Sequence, residues 1–129
     1  MSDKITSEEL KDIMSNCYGT EGYYSYGIVP SFKINLTDGV KTFIEKADAF
    51  WFVGDFYSYI PTIRKKAPNE YFFAINLIVN EDETADMIIT DGNCNELVKK
   101  HYDYTDCPVG EWKFYFDLDS KVMMYYMEY

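Results

Sequence analysis

The chain has 129 residues, which fits one domain, because a second domain would be too small to hold a core of its own. Its hydrophobic content of 47% excludes a disordered protein, and its formal net charge of -10 argues against direct binding of nucleic acid or anionic lipid. We therefore expect one acidic domain over residues 1–129.

The first residues lack the basic segment and apolar core of a signal peptide, and no run of 18 apolar residues could span a membrane. The three cysteines, Cys17, Cys94 and Cys107, are an odd number at wide spacings. That pattern predicts neither a disulfide framework nor a paired zinc site. Reduced thiols in the cytoplasm are the simplest account of this pattern.

Two helix starts are visible in the first third of the chain. Thr6-Ser7-Glu8-Glu9 forms a capping box and predicts a helix to about residue 16. Residues 17–30 hold three glycines and four tyrosines without periodicity, so they predict an ordered loop, and residues 32–36 predict a short strand. Thr37-Asp38 then starts a second helix, whose apolar face is Val40, Phe43, Ile44 and Ala47.

A third helix is favoured over a buried strand for the aromatic segment that begins at Phe50. The spacing of its apolar residues is helical, and Pro61 with the basic cluster Arg64-Lys65-Lys66 is expected to end it.

Beyond Pro68 the hydrophobic period changes from helical to two. Alternation predicts a first strand that carries Tyr71, Phe73, Ile75, Leu77 and Val79 on one face. Four more strands follow, around residues 85–89, 96–104, 112–118 and 121–127, and Asp91-Gly92-Asn93 is a strong hairpin signal. Helices followed by strands indicate an α+β fold, with N-terminal helices packed on one face of a roughly five-stranded antiparallel meander sheet.

Few residues offer catalytic chemistry. His101 is the only histidine, which excludes multi-histidine metal sites. A nucleophilic Cys–His pair would require Cys107 or Cys94 to fold back near His101, in the case of Cys107 across a proline-containing turn. Glu81-Asp82-Glu83 is interpreted as a solvated turn rather than a cation site. No Gly-x-Ser-x-Gly, Walker or Rossmann motif occurs, so no cofactor is expected.

Three carboxylates stand out by their neighbours. Asp55 follows Trp51 by one helical turn, and a partly buried carboxylate must be paired or have its pKa raised. The segment around Asp106 is typical of a strand that leads into an Asx turn. Glu128-Tyr129 brings a carboxylate, a phenol and the chain terminus together.

Several short motifs keep a fairly specific order and spacing over residues 19–129. They are Gly19-Thr20-Glu21 with Tyr23, Thr37-Asp38-Gly39-Val40, Ala49 with Trp51, Asp55 and Ser58, Tyr104-Thr105-Asp106 with Pro108, and Glu128-Tyr129. In these motifs the chain resembles an uncharacterised bacterial domain family of unknown function, found on chromosomes and mobile elements. It departs from that pattern at Cys107, where a Phe is expected, and at Tyr126-Met127, where a Pro-Ser step is expected.

The resemblance implies no activity, cofactor or catalytic residue. It implies that seven residues converge as a candidate binding cluster: Glu21, Asp38, Trp51, Asp55, Asp106, Glu128 and Tyr129.

The uneven charge favours one functional hypothesis. Residues 67–129 hold 13 acids and four lysines, for a sum of -9, and the chain has 13 tyrosines. We expect a non-enzymatic binding or regulatory module, accessory to mobile elements, whose acidic sheet surface meets a protein partner or a second copy. Solubility alone would also account for the acidity.

Two alternatives stay open. One is a small hydrolase-like enzyme that uses Asp55, Asp106 and Glu128 beside Trp51. The other is binding of a small aromatic or cationic ligand by Trp51 and the tyrosines, through stacking and cation–π contacts.

Overall fold

The computed structural model describes residues 5–17, 19, 22–27 and 29–128. Within them lie three α-helices, seven strands and one short 3-10 helix. The helices are α1 (Ser7–Met14), α2 (Asp38–Lys46) and α3 (Phe50–Lys66). The strands are β1 (Tyr23–Tyr26), β2 (Ile34–Thr37), β3 (Phe72–Val79), β4 (Ala85–Thr90), β5 (Glu96–Tyr102), β6 (Gly110–Asp117) and β7 (Val122–Tyr125), and the 3-10 helix is Tyr126–Glu128.

The strands form one mixed sheet in the order β1-β2-β7-β6-β3-β4-β5. All neighbours are antiparallel except β2 and β7, which run parallel. The predicted α+β class is confirmed, but the five-stranded antiparallel meander is wrong. The chain leaves β5 at one edge and returns to pair β6 with the other side of β3, and β7 then pairs with a strand from the N-terminal half.

Strict alternation in β3 sets the two faces of the sheet, as predicted. Phe73, Ile75, Leu77 and Val79 are buried, while the residues between them are partly exposed. Tyr71 is exposed and precedes the strand. The buried side therefore faces the helices, and the other face stays open to solvent.

Aromatic rings join the helices to this buried face. Phe43 of α2 and Phe52 of α3 both contact Phe114 of β6, with ring centroids 5.1 and 5.2 Å apart. Phe56 contacts Phe116 at 5.1 Å. Tilted and edge-to-face ring contacts of this kind add to the stability gained from burial alone. The position of α3 over the sheet is thereby fixed.

Helix α3 ends at Lys66, within the basic cluster expected to end it, but Pro61 lies inside the helix and does not stop it. A proline inside a helix removes one hydrogen bond and costs about 3 kcal/mol. Ile60 and Ile63, on either side of it, are both buried in the core. Burial of these two side chains offsets the cost of the proline, which itself points to solvent.

Strand β1 lies within the segment predicted to be a loop. Its residues Tyr23–Tyr26 are mostly exposed at the edge of the sheet and pair only with β2. Only Tyr26 at its end packs against the core, so the strand shows no alternation of apolar and polar residues and the sequence gives no period-two signal there.

Hydrogen bonds of Glu128 link the 3-10 helix to the start of α2. The Glu128 carboxylate accepts hydrogen bonds from the Thr37 hydroxyl at 2.6 Å, the Gly39 amide at 3.1 Å and the Tyr125 amide at 2.8 Å. A carboxylate is stabilised at a helix N-terminus by the helix dipole. We call these four residues the α2 clasp; they lie beside the parallel pairing of β2 with β7.

Within the part of the chain that the structure describes, no helix has the length and apolar character needed to cross a bilayer.

We expect Gly39→Ala to lower the free energy of unfolding, although alanine is the better helix former by about 1 kcal/mol. A Cβ at Gly39 would lie 2.4 Å from Glu128 Oε1 and 2.9 Å from Tyr125 Cβ, so the α2 clasp must open. Overpacking of this kind costs about 1–3 kcal/mol, which outweighs the gain in propensity. Urea unfolding measures the difference.

Gly54→Ala in α3 is the matched control. Its Cβ would meet only the hydroxyl of Tyr26, at 3.0 Å, and that side chain can move. We expect this variant to be at least as stable as the parent protein. Equal or greater stability of Gly39→Ala would contradict the role of the clasp.

Candidate functional site

A pocket of about 290 Å³ opens between α3 and the loop that follows β5. We call it the aromatic–acidic pocket. Its lining residues are Trp51, Asp55, Tyr102, Tyr104, Thr105 and Asp106. Three aromatic rings and two carboxylates therefore share one small concave surface.

A hydrogen bond and a ring contact join α3 to the end of β5 at this pocket. The Tyr102 hydroxyl donates to Asp55 Oδ2 at 2.7 Å, and the rings of Tyr102 and Trp51 meet edge to face with centroids 4.8 Å apart. Burial, followed by the bond to Asp55, raises the pKa of Tyr102 far above its usual range. The phenol thus remains a donor at every physiological pH and holds the Asp55 carboxylate in place.

The residues on either side of Asp106 form hydrogen bonds that fix its loop. The Thr105 amide donates to the Glu83 carbonyl at 2.7 Å, and the Cys107 amide donates to the Thr105 hydroxyl at 3.1 Å. An Asx turn was expected at Asp106, in which its side chain would accept from the amide two residues later. The structure instead shows this hydrogen bond at Thr105, whose hydroxyl accepts from the Cys107 amide. Within the described residues the Asp106 side chain accepts no hydrogen bond, and it is exposed at the pocket.

No lysine or arginine of the described chain lines this pocket. One ammonium group does lie close to it, because Lys100 Nζ is 5.8 Å from the ring centroid of Tyr102. Lys100 precedes Tyr102 by two residues on β5, so both side chains emerge on the same side of the sheet. An aromatic wall of the pocket is thus already within cation–π range of one lysine.

The structure divides the seven predicted binding residues into separate groups. Trp51, Asp55 and Asp106 come together in the aromatic–acidic pocket. Asp38 and Glu128 lie instead at the start of α2, where Asp38 accepts from the Gly22 amide at 3.1 Å and Glu128 belongs to the α2 clasp. Glu21 and Tyr129 lie outside the described residues.

Tyr102, Tyr104 and Thr105 line the pocket but were not among the seven predicted binding residues. Tyr102 is helix-facing because it follows Val98 by four positions on β5, where Val98 is buried and Lys99 is exposed. That alternation is a signal in the sequence, although the predicted strand ran to residue 104 and the structure ends it at Tyr102. For Tyr104, 67% exposed in the loop, no such pattern exists.

The proposed pair of Cys107 with His101 does not form. His101 Nδ1 lies 2.9 Å from Asp86 Oδ1 on the open face of the sheet. Cys107 is buried, and burial raises its pKa to about 12. A thiol held in its protonated form is a poor nucleophile.

The acidic turn after β3 offers no metal centre. Asp82 is engaged by Thr84, whose hydroxyl donates to it at 2.6 Å and helps to lower its pKa. Among the residues that the structure describes, no three His, Cys, Asp or Glu side chains are grouped to hold a metal ion.

Comparison with known proteins identifies a family. The model of DUF6876, a family of unknown function, covers residues 8–129. The predicted membership of a domain family of unknown function is confirmed. No curated protein and no solved structure matches the chain.

We expect Cys94, which is exposed, to react with iodoacetamide at pH 8 like an ordinary thiol, and Cys107 to react more than about a hundredfold more slowly in the folded protein. Mass spectrometry of timed samples assigns each modified cysteine. Denaturation should make the three thiols equivalent. Fast labelling of Cys107 in the folded state would contradict its burial and revive a nucleophilic role.

Proposed function

The chain belongs to the DUF6876 family, whose function is unknown, and we propose that it is a non-enzymatic module that binds a basic protein. In this proposal the aromatic–acidic pocket receives a lysine or arginine side chain of the partner. The supporting observation is the joint presence of three rings and two carboxylates in one pocket that lacks a lysine or arginine of its own among the described residues. We place the interaction in the bacterial cytoplasm.

The pocket combines two attractions that a cation needs. The faces of Trp51, Tyr102 and Tyr104 carry negative partial charge and attract an ammonium or guanidinium group. Asp55 and Asp106 supply full negative charges beside them. Asp55 is already oriented by Tyr102, and Asp106 by its anchored loop, so little ordering is required when the cation enters.

Size and charge favour a side chain of a protein over a free metabolite. A volume of about 290 Å³ is at the small end for a small-molecule site, and it suits the tip of one long side chain. The sum of -9 over residues 67–129 extends the attraction well beyond the pocket and would steer a basic protein towards it.

The hydrolase alternative loses one of its three carboxylates. Glu128 accepts three hydrogen bonds within the α2 clasp and is not among the lining residues of the pocket. Asp55 is occupied by the Tyr102 hydroxyl. Two carboxylates without a positioned third group do not form the arrangement that this hypothesis required.

The proposal is tested by calorimetry with short acetylated and amidated peptides. We expect a peptide with a central lysine, and the same peptide with arginine, to bind, and the norleucine version not to bind. Trp51→Leu and Asp106→Asn should each weaken binding by about fivefold, the loss expected for one cation–π or charge contact in a partly exposed site.

Asp119→Asn is the matched control, because Asp119 is exposed and does not line the pocket. It removes the same charge as Asp106→Asn and should leave the affinity almost unchanged. Equal losses for the two variants, or equal binding of the norleucine peptide, would show that net charge or hydrophobicity acts without the pocket. Sedimentation velocity of the protein alone detects a second copy as the partner.

A further inference from the structure

A second and larger cavity, of about 450 Å³, lies on a different flank of α3, between that helix and residues 29–32. We call it the Arg64 cavity. It is lined by Val29, Phe32, Gly54, Tyr57, Ser58, Ile60, Pro61 and Arg64. Only Tyr57, Ser58 and Arg64 bring polar side-chain groups to a mainly apolar surface.

Tyr57 holds the two walls of the cavity together. Its hydroxyl donates to the Phe32 carbonyl at 2.5 Å and accepts from the Val29 amide at 3.4 Å. Its ring contacts those of Phe32 and Tyr26, with centroids 5.9 and 5.6 Å apart. The cavity is therefore preformed, and the loop need not be ordered by a ligand.

Among the described residues that line the cavity, Arg64 is the only one with hydrogen-bond donors to offer a ligand. The Tyr57 hydroxyl donates to Phe32, and the Ser58 hydroxyl donates to the Asp55 carbonyl at 2.6 Å. Pro61 has no amide proton. A polar group of the ligand must therefore be an acceptor that meets the guanidinium.

Charge indicates that this acceptor is an anion. Arg64 is the sole arginine of a chain with 22 acids, yet it forms no ion pair within the described residues. No acid lines the cavity, and Lys121 Nζ lies only 5.3 Å from the ring centroid of Phe32. A region of positive potential is thus kept beside an apolar hollow in a strongly acidic protein.

We propose that the Arg64 cavity binds a small hydrophobic monocarboxylate. Its carboxylate forms paired hydrogen bonds with the planar guanidinium, and its hydrocarbon body lies against Phe32, Ile60 and Val29. A cavity of this volume accommodates an acid of about ten to twenty non-hydrogen atoms. The site is independent of the proposed binding of a basic protein, because the two sites share no lining residue.

The test is a titration of the ¹⁵N-labelled protein with octanoate, octanamide and octylamine, followed by NMR. We expect octanoate to shift the amides of the non-proline residues within 29–32 and 54–64 in a saturable way. Arg64→Gln should weaken octanoate binding by about tenfold, the loss expected for a charge-assisted pair, and Arg64→Lys should weaken it less.

Lys65→Gln is the matched control, because Lys65 is an exposed neighbour that does not line the cavity. It should leave octanoate binding within about twofold of the parent, since an exposed charge outside the cavity contributes little. Asp106→Asn should also leave octanoate binding unchanged. If the aromatic–acidic pocket proved not to bind basic peptides, the octanoate titration would therefore still test the Arg64 cavity by itself.

Three outcomes would overturn the proposal. They are the absence of saturable shifts with octanoate, equal affinity for octanoate and octanamide, and equal losses in Arg64→Gln and Lys65→Gln. A leucine-ending peptide with a free carboxylate presents the same chemistry from a protein. If it bound more tightly than octanoate, the cavity would be a site for peptide C-termini instead.

Discussion

Burial of α3 against the sheet is the constraint on which both cavities depend. Rings of Phe52 and Phe56 meet those of Phe114 and Phe116, and this contact fixes the helix along the strands. With the helix in place, one flank closes the aromatic–acidic pocket through Tyr102, and another closes the Arg64 cavity through residues 29–32. The aromatic content of the chain therefore serves packing first, and the two sites are formed at the margins of that packing.

The two flanks of α3 differ in charge. Asp55 belongs to a pocket with acids and no lining cation, whereas Arg64 belongs to a cavity with no lining acid. Opposite charges on one short helix would pair if they met, but they lie on different sides and more than two turns apart. Each site keeps its own potential, so the cation and the carboxylate that we propose as ligands would bind without competition.

Local sequence patterns predicted the helices and the faces of the strands, but not the pairing of strands that are far apart in the chain. Capping at Thr6 and Thr37 and the alternation in β3 are local, and the helices and strand faces followed from them. The parallel pairing of β2 with β7 joins segments almost 90 residues apart, and no pattern in either segment specifies it. For the site, the helical spacing of Trp51 and Asp55 was readable, but their meeting with Asp106 depends on where β5 ends.

The most direct measurement of the central claim is a set of intermolecular NOEs in the complex with a trimethyllysine peptide. We expect NOEs from the N-methyl protons to the rings of Trp51 and Tyr104, and to Tyr102 beside Asp55. NOEs confined to acidic surface segments such as Glu81-Asp82-Glu83, with none to the three rings, would contradict it. Binding would then follow from the overall charge, without the pocket.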